Sequence, residues 1–127
     1  ACLVFNFFTN GSITPQPEMK FDFLVIVSGE ALFTFFIVLT YLVMSISDRF
    51  KDNPINGLVV GMSLFVGVYV MGGVTGAVFN PSVALGTSIQ NIIIGGNPFE
   101  FLPIYLVGPF LGAMLAAILF NYLKLEK

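Results

Sequence analysis

Polar residues come in clusters along this chain, and apolar residues in long runs. Residues 9–20, TNGSITPQPEMK, are polar and carry two prolines, which predicts a loop. From Phe23 to Ser47 the pattern is apolar, and Glu30 is its one charged residue. A run of about 25 residues suffices to cross roughly 30 Å of hydrocarbon as a helix. The charged stretch SDRFKDNP, 47–54, predicts a connector. Ile55 to Gly72 is a second apolar run, shorter and rich in glycine, and Phe101 to Leu123 is a third. Between them lies NPSVALGTSIQNIII, 80–94, helix-like but short. About fourteen residues at roughly 1.5 Å each rise only about 20 Å, too little to cross alone.

Charge decides what the short segment does. Arg49 and Lys51 lie in the first connector, and Lys124 and Lys127 in the C-terminal tail. Segments rich in Lys and Arg stay on the cytoplasmic side, so an even number of crossings must separate these two. Runs two and three supply both, and the short segment, about 80–93, is therefore expected to dip in and return outward. The same reasoning places residues 9–20 outside, where Asn10-Gly11-Ser12 would be a usable glycosylation acceptor. The expected organisation is the end of a preceding helix and an outer loop over 1–20, then a membrane unit over 21–123. The unit's spans fall at about 23–47, 55–72 and 101–123, and 124–127 form a cytoplasmic tail.

Composition sharpens this picture. Of 127 residues, 57% are hydrophobic and 9% charged, where a soluble domain carries about a quarter charged residues. The chain reads as an all-α, multi-pass integral membrane protein of the plasma membrane or an internal membrane, with lipid as its surroundings. A net charge of −2 gives no reason to expect a nucleic-acid partner. The absence of His excludes a His-based triad, metal site or pH switch. Cys2 is the one cysteine and forms no internal disulfide. The opening ACLVFNFF lacks a basic region and a cleavage pattern, and reads as the tail of an apolar helix from a longer chain. No phosphate loop, metal cluster, cofactor motif or nucleophile–base pair stands out, so no enzyme is expected.

The stretch GGVTGAVFNPSVALG, 72–86, interrupts the apolar pattern where a membrane helix would otherwise run. Lipid cannot satisfy irregular backbone, so the break must be buried in protein or line a watery cavity. Asn80-Pro81 has two companions, Asn53-Pro54 and Asn97-Pro98, and the latter continues as Asn97-Pro98-Phe99-Glu100, like a capping box. All three fit one rule, in which Asn caps a helix and Pro takes its first position. Their settings differ. The other two pairs lie near charged residues, whereas Asn80 has a long uncharged stretch on either side.

Around Asn80, TGAVFNPSVALG resembles the second Asn-Pro-Ala loop of the aquaporin and aquaglyceroporin (major intrinsic protein) family, with Ser82 where Ala is usual. GEALFTFFIVL, 29–39, resembles the family's fourth membrane helix, with Glu30 and Thr34. NGLVVGMSLFVGVYVMGGVTG resembles the fifth, and YLVGPFLGAMLAA the sixth, with Gly108-Pro109. The likeness covers 21–123, the C-terminal half of that fold. Val83 follows the motif as in a first-half loop; Thr75-Gly76, Gly108-Pro109 and the short SDRFKDN connector assign the second half.

The resemblance implies half of an inverted-repeat bundle, with three transmembrane helices and one re-entrant half-helix. It further implies a missing N-terminal half, a homotetramer, no cofactor, and water and small neutral solutes as partners. Two half-helices would point their positive N-termini at the membrane centre, where they oppose cations. Asn80, Pro81 and Ser82 would line that point, and the Asn80 amide would donate to a passing water or hydroxyl. Thr75 and Gly76 would shape the loop with Glu30 and Thr34. The outer filter positions fall on Val68, Ala77 and Val83, where water-selective members commonly carry His at the first and nearly all members Arg at the third. Without them the constriction is expected to be wider and more apolar, and to hold back cations or protons less.

Some of these residues also have plain structural readings. Val68 and Val83 taken singly are ordinary membrane residues. An ionisable group within a span is a functional candidate, but the reading favoured for Glu30 is structural, as an acceptor for free N–H groups of the loop. Gly57, Gly61, Gly108 and Gly112 are read as packing positions that let helices approach. A non-conducting junction protein of the same fold and an inverted-repeat secondary transporter are the competing readings.

Overall fold

The computed structural model describes residues 2–11, 14–97 and 99–123. Ser12 of the glycosylation pattern, Pro98, and the tail lysines Lys124 and Lys127 lie outside them. The helices are α1 (Cys2–Thr9), α2 (Phe23–Ser45), α3 (Asn56–Thr75), α4 (Pro81–Ile93) and α5 (Leu102–Tyr122). Among the described residues there is no strand. α2, α3 and α5 are long and apolar enough to span a membrane. In lipid such segments must be helical, because every backbone polar group has to find its partner within the segment.

Helix ends show where local chemistry prevails. α2 stops at Ser45, short of Ser47. α3 runs through Gly72 and Gly73 to Thr75, beyond the Gly72 expected from sequence. Glycine is tolerated inside membrane helices, so those two do not break it. The break comes at Gly76, which sits at φ +86°. A Cβ there would lie 3.0 Å from the Tyr105 hydroxyl and 3.2 Å from the Gln16 carbonyl oxygen. Gly76 is needed for both reasons, conformation and closeness.

The three Asn-Pro pairs do not behave alike as helix starts. Each Asn Oδ1 accepts the N–H two residues on: Ile55 N at 3.1 Å for Asn53, Ser82 N at 2.9 Å for Asn80, and Phe99 N at 3.3 Å for Asn97. Only at Asn80 does that bond cap a helix, with Pro at its first position. α3 starts at Asn56 behind Ile55, and α5 at Leu102 behind Phe101, neither with a side-chain cap bond. The capping-box expectation at Asn97 therefore does not hold. At the first connector Asn56 gives the reason. Its Nδ2 donates to the Met44 and Lys51 carbonyls, which ties the start of α3 to the end of α2.

α2 is the central element, and α5 and α3 pack on it, while α4 packs on α5 and α1. The α2–α5 seam is close because of its glycines. A Cβ on Gly112 would collide with the Ala31 carbonyl, and one on Gly108 would lie 2.8 Å from Glu30 Cβ. Such small positions let membrane helices gain dispersion contacts where lipid removes the hydrophobic drive. Tyr105, Gly108, Pro109, Gly112, Ala116 and Phe120 form the buried stripe of α5. A Cβ on Gly57 or Gly61 would meet nothing within 4 Å. Their face of α3 is uncovered within this chain, and α3 as a whole is buried only at Gly67 and Thr75.

Candidate functional site

The site is built around one carboxylate. Glu30 lies mid-α2 with no solvent exposure. A buried carboxylate is tolerable only with hydrogen-bond donors around it, and three converge here. Thr75 Oγ1 donates to Oε1 at 2.6 Å, the Val78 N–H to Oε1 at 3.1 Å, and the Phe79 N–H to Oε2 at 2.7 Å. Thr34, one turn further along α2 and so on the same face, donates from Oγ1 to the Phe79 carbonyl at 3.2 Å. The Ala77 N–H donates to Thr75 Oγ1 at 3.0 Å, closing a short hydroxyl turn.

These bonds hold an improbable backbone. Ala77 and Phe79 have φ of +49° and +50°, a region that costs a residue with a Cβ roughly 1–2 kcal/mol. Such residues persist where their surroundings over-determine them. Two more ties help. The Tyr105 hydroxyl donates to the Thr75 carbonyl, and the Glu18 N–H donates to the Val74 carbonyl at 3.0 Å. The loop that carries Glu18 thereby closes over the end of α3.

The donors of residues 77 to 79 all point into this network. Each peptide unit carries one donor and one acceptor. These peptides are trans, so the carbonyl oxygens of residues 76 to 78 point away from that network. Asn80 follows, extended and exposed, with its Oδ1 held by the Ser82 N–H. That bond orients the amide, and Nδ2 remains as its donor. α4 starts there, so the positive end of its dipole lies at Asn80.

The sequence-derived residues fall into two sets. Glu30 and Thr34 on α2 are bonded to the segment that carries Thr75, Gly76, Asn80, Pro81 and Ser82. Val68 and Val83 are exposed on α3 and α4, and Ala77 is half-buried between them in sequence. α3 and α4 make no helix–helix contact among the described residues, so the structure does not bring Val68 and Val83 together. Tyr105 and Phe79 were not singled out from sequence. A tyrosine in the buried stripe of α5 was the available signal, since a buried phenol seeks an acceptor. Phe79 gave none, because its backbone conformation is set by tertiary bonds.

Three apolar spans, a half-helix capped by an exposed Asn, and a buried carboxylate holding its loop define a polytopic membrane protein with a re-entrant element. The sequence profile of the major intrinsic protein family matches residues 1–120. The chain belongs to that family and is an integral, multi-pass membrane protein. It is 30% identical over 116 residues to a protein described as "Probable aquaporin AqpM" from Archaeoglobus fulgidus, covering 91% of this chain and 46% of that one. Aquaporin AqpM from Methanothermobacter thermautotrophicus is 29% identical over 77% of this chain and 40% of its own length. Aquaporin NIP1-1 from Oryza sativa subsp. japonica is 32% identical over 75% of this chain and 33% of its own length. The chain thus spans less than half the length of these curated relatives.

Proposed function

We propose that this chain forms one half of the wall of a passive channel for water and small uncharged solutes such as glycerol or urea. The observation that carries the reading is Asn80: an exposed amide at the N-terminus of a half-helix, placed in an otherwise uncharged stretch. Its Nδ2 donates to the oxygen of a passing water or hydroxyl, and the carbonyls of 76–78 accept. Together they replace part of the hydration lost on entry. The half-helix dipole opposes cations there, a logic general to such pores.

Selectivity in this reading lies with Val68, Ala77 and Val83. None carries a charge or a polar side chain, so the constriction is apolar and wide enough for a small polyol. A complementary half closes the lumen opposite α3 and α4, and four such pores associate as a tetramer. Names of the relatives support a channel class; the solute range rests on the three apolar filter positions. Reconstituted into vesicles, the protein is expected to speed swelling in an inward glycerol gradient. Speeded water flux with no glycerol entry would remove the solute part. No flux of either would favour the non-conducting reading, and flux that depends on an ion gradient would favour a transporter.

A further inference from the structure

α3 carries Val68, α4 carries Val83, and the two helices do not touch. Something other than helix packing must set the distance between them. The Phe79 ring is placed to do so. Phe79 is 5% exposed, with its ring centroid 5.8 Å from that of Phe33 on α2. On the α3 side it meets Gly67. A Cβ built on Gly67 would lie 3.0 Å from Phe79 Cε2 and 3.3 Å from Phe33 Cδ1. The ring is thus seated in a slot that a side chain at 67 would tighten. Its own backbone is held at both ends, N–H to Glu30 and carbonyl to Thr34.

We propose that Gly67 and Phe79 form a spacer that sets the bore of the pore, and that they are positioning residues for solute discrimination. Gly67 immediately precedes Val68, and Phe79 immediately precedes Asn80. The ring therefore fixes how far the filter wall on α3 stands from the donor amide and the start of α4. Because the backbone of 79 is pinned, a methyl group on residue 67 pushes α3, and Val68 with it, outward by a few tenths of an ångström. A smaller side chain at 79 leaves the slot part-empty and lets α3 settle inward. Neither residue need touch the solute.

This inference rests on the channel reading, and the test separates the two. The full-length protein is compared with Gly67→Ala, Phe79→Leu and the double variant in vesicles, and the readout is the ratio of glycerol to water permeability. The ratio is independent of how much protein folds, so a merely structural role leaves it unchanged. Each single variant is expected to shift it by about threefold or more, the size of effect that residues in contact exert on each other. The double variant is expected to return it toward the parent. Unchanged ratios in the single variants, or no recovery in the double, would overturn the proposal. Thermal unfolding of the same four proteins in detergent adds a readout free of transport, in which the two changes should be non-additive; additivity would also overturn it. A parent that passes neither solute defeats the channel reading, and the melting cycle alone then decides the spacer.

Discussion

On its buried side, the backbone from Thr75 to Asn80 is held by hydrogen bonds; the three proposed filter positions, by contrast, are all apolar. Behind it, the N–H groups of 77 to 79 each meet an oxygen of Thr75 or Glu30. The proposed filter positions Val68, Ala77 and Val83 carry only hydrocarbon side chains. The difference teaches how work is divided. The buried side spends hydrogen bonds to hold a backbone that would not hold itself, and changes there should cost the fold. The exposed side bears little structural load, so changes there should alter what passes and leave the fold intact.

Glu30→Ala is the hardest blow to this division. It leaves the Thr75 hydroxyl and two backbone N–H groups without their acceptor. Each unpaired buried group costs about 1–3 kcal/mol. Loss of a monodisperse peak in detergent gel filtration is expected. Glu30→Gln should also lower the folded yield; an intact protein whose pH response differs from the parent's would instead make Glu30 a proton relay. Thr75→Val comes next. It removes one donor to Glu30 and the acceptor of the Ala77 N–H, and should cost about 2 kcal/mol, read as a lower melting temperature.

Ala77→Gly should act in the other direction. Residue 77 sits at φ +49°, where glycine avoids a penalty of about 1 kcal/mol, so a small rise in melting temperature is expected. Val68→Ala should be the mildest for stability. Val68 is exposed on α3 within this chain, and a change of no more than about 0.5 kcal/mol is expected, with any effect confined to permeability. A large loss of stability from Val68→Ala would mean that this position of α3 is a structural element.

Much of this architecture was legible in the residues. Long apolar runs announced α2, α3 and α5 because lipid leaves a chain no alternative to the helix. A lone glutamate in such a run had to have partners, and the loop beside it was the nearest supply of donors. Asn80 was legible as a cap from its neighbour Pro81. The same dipeptide misled at 53 and 97, because what Asn specifies is the bond to the N–H two residues on. Whether a helix follows at once depends on what the next residues meet, as Asn56 meets the Met44 and Lys51 carbonyls. Gly67 and Phe79 were illegible for a related reason. A glycine among many in α3 and a phenylalanine among many in the chain acquire meaning only when their distance is known.

The central claim is that an apolar filter, with valine at 83, admits a small polyol alongside water. Stopped-flow light scattering of vesicles carrying the parent and Val83→Arg tests it most directly. An arginine there adds positive charge and narrows the lumen on the exposed wall of α4. The parent is expected to pass both glycerol and water, and Val83→Arg to lose most glycerol flux while keeping water flux. A parent closed to glycerol, or a variant whose glycerol-to-water ratio equals the parent's, would contradict it.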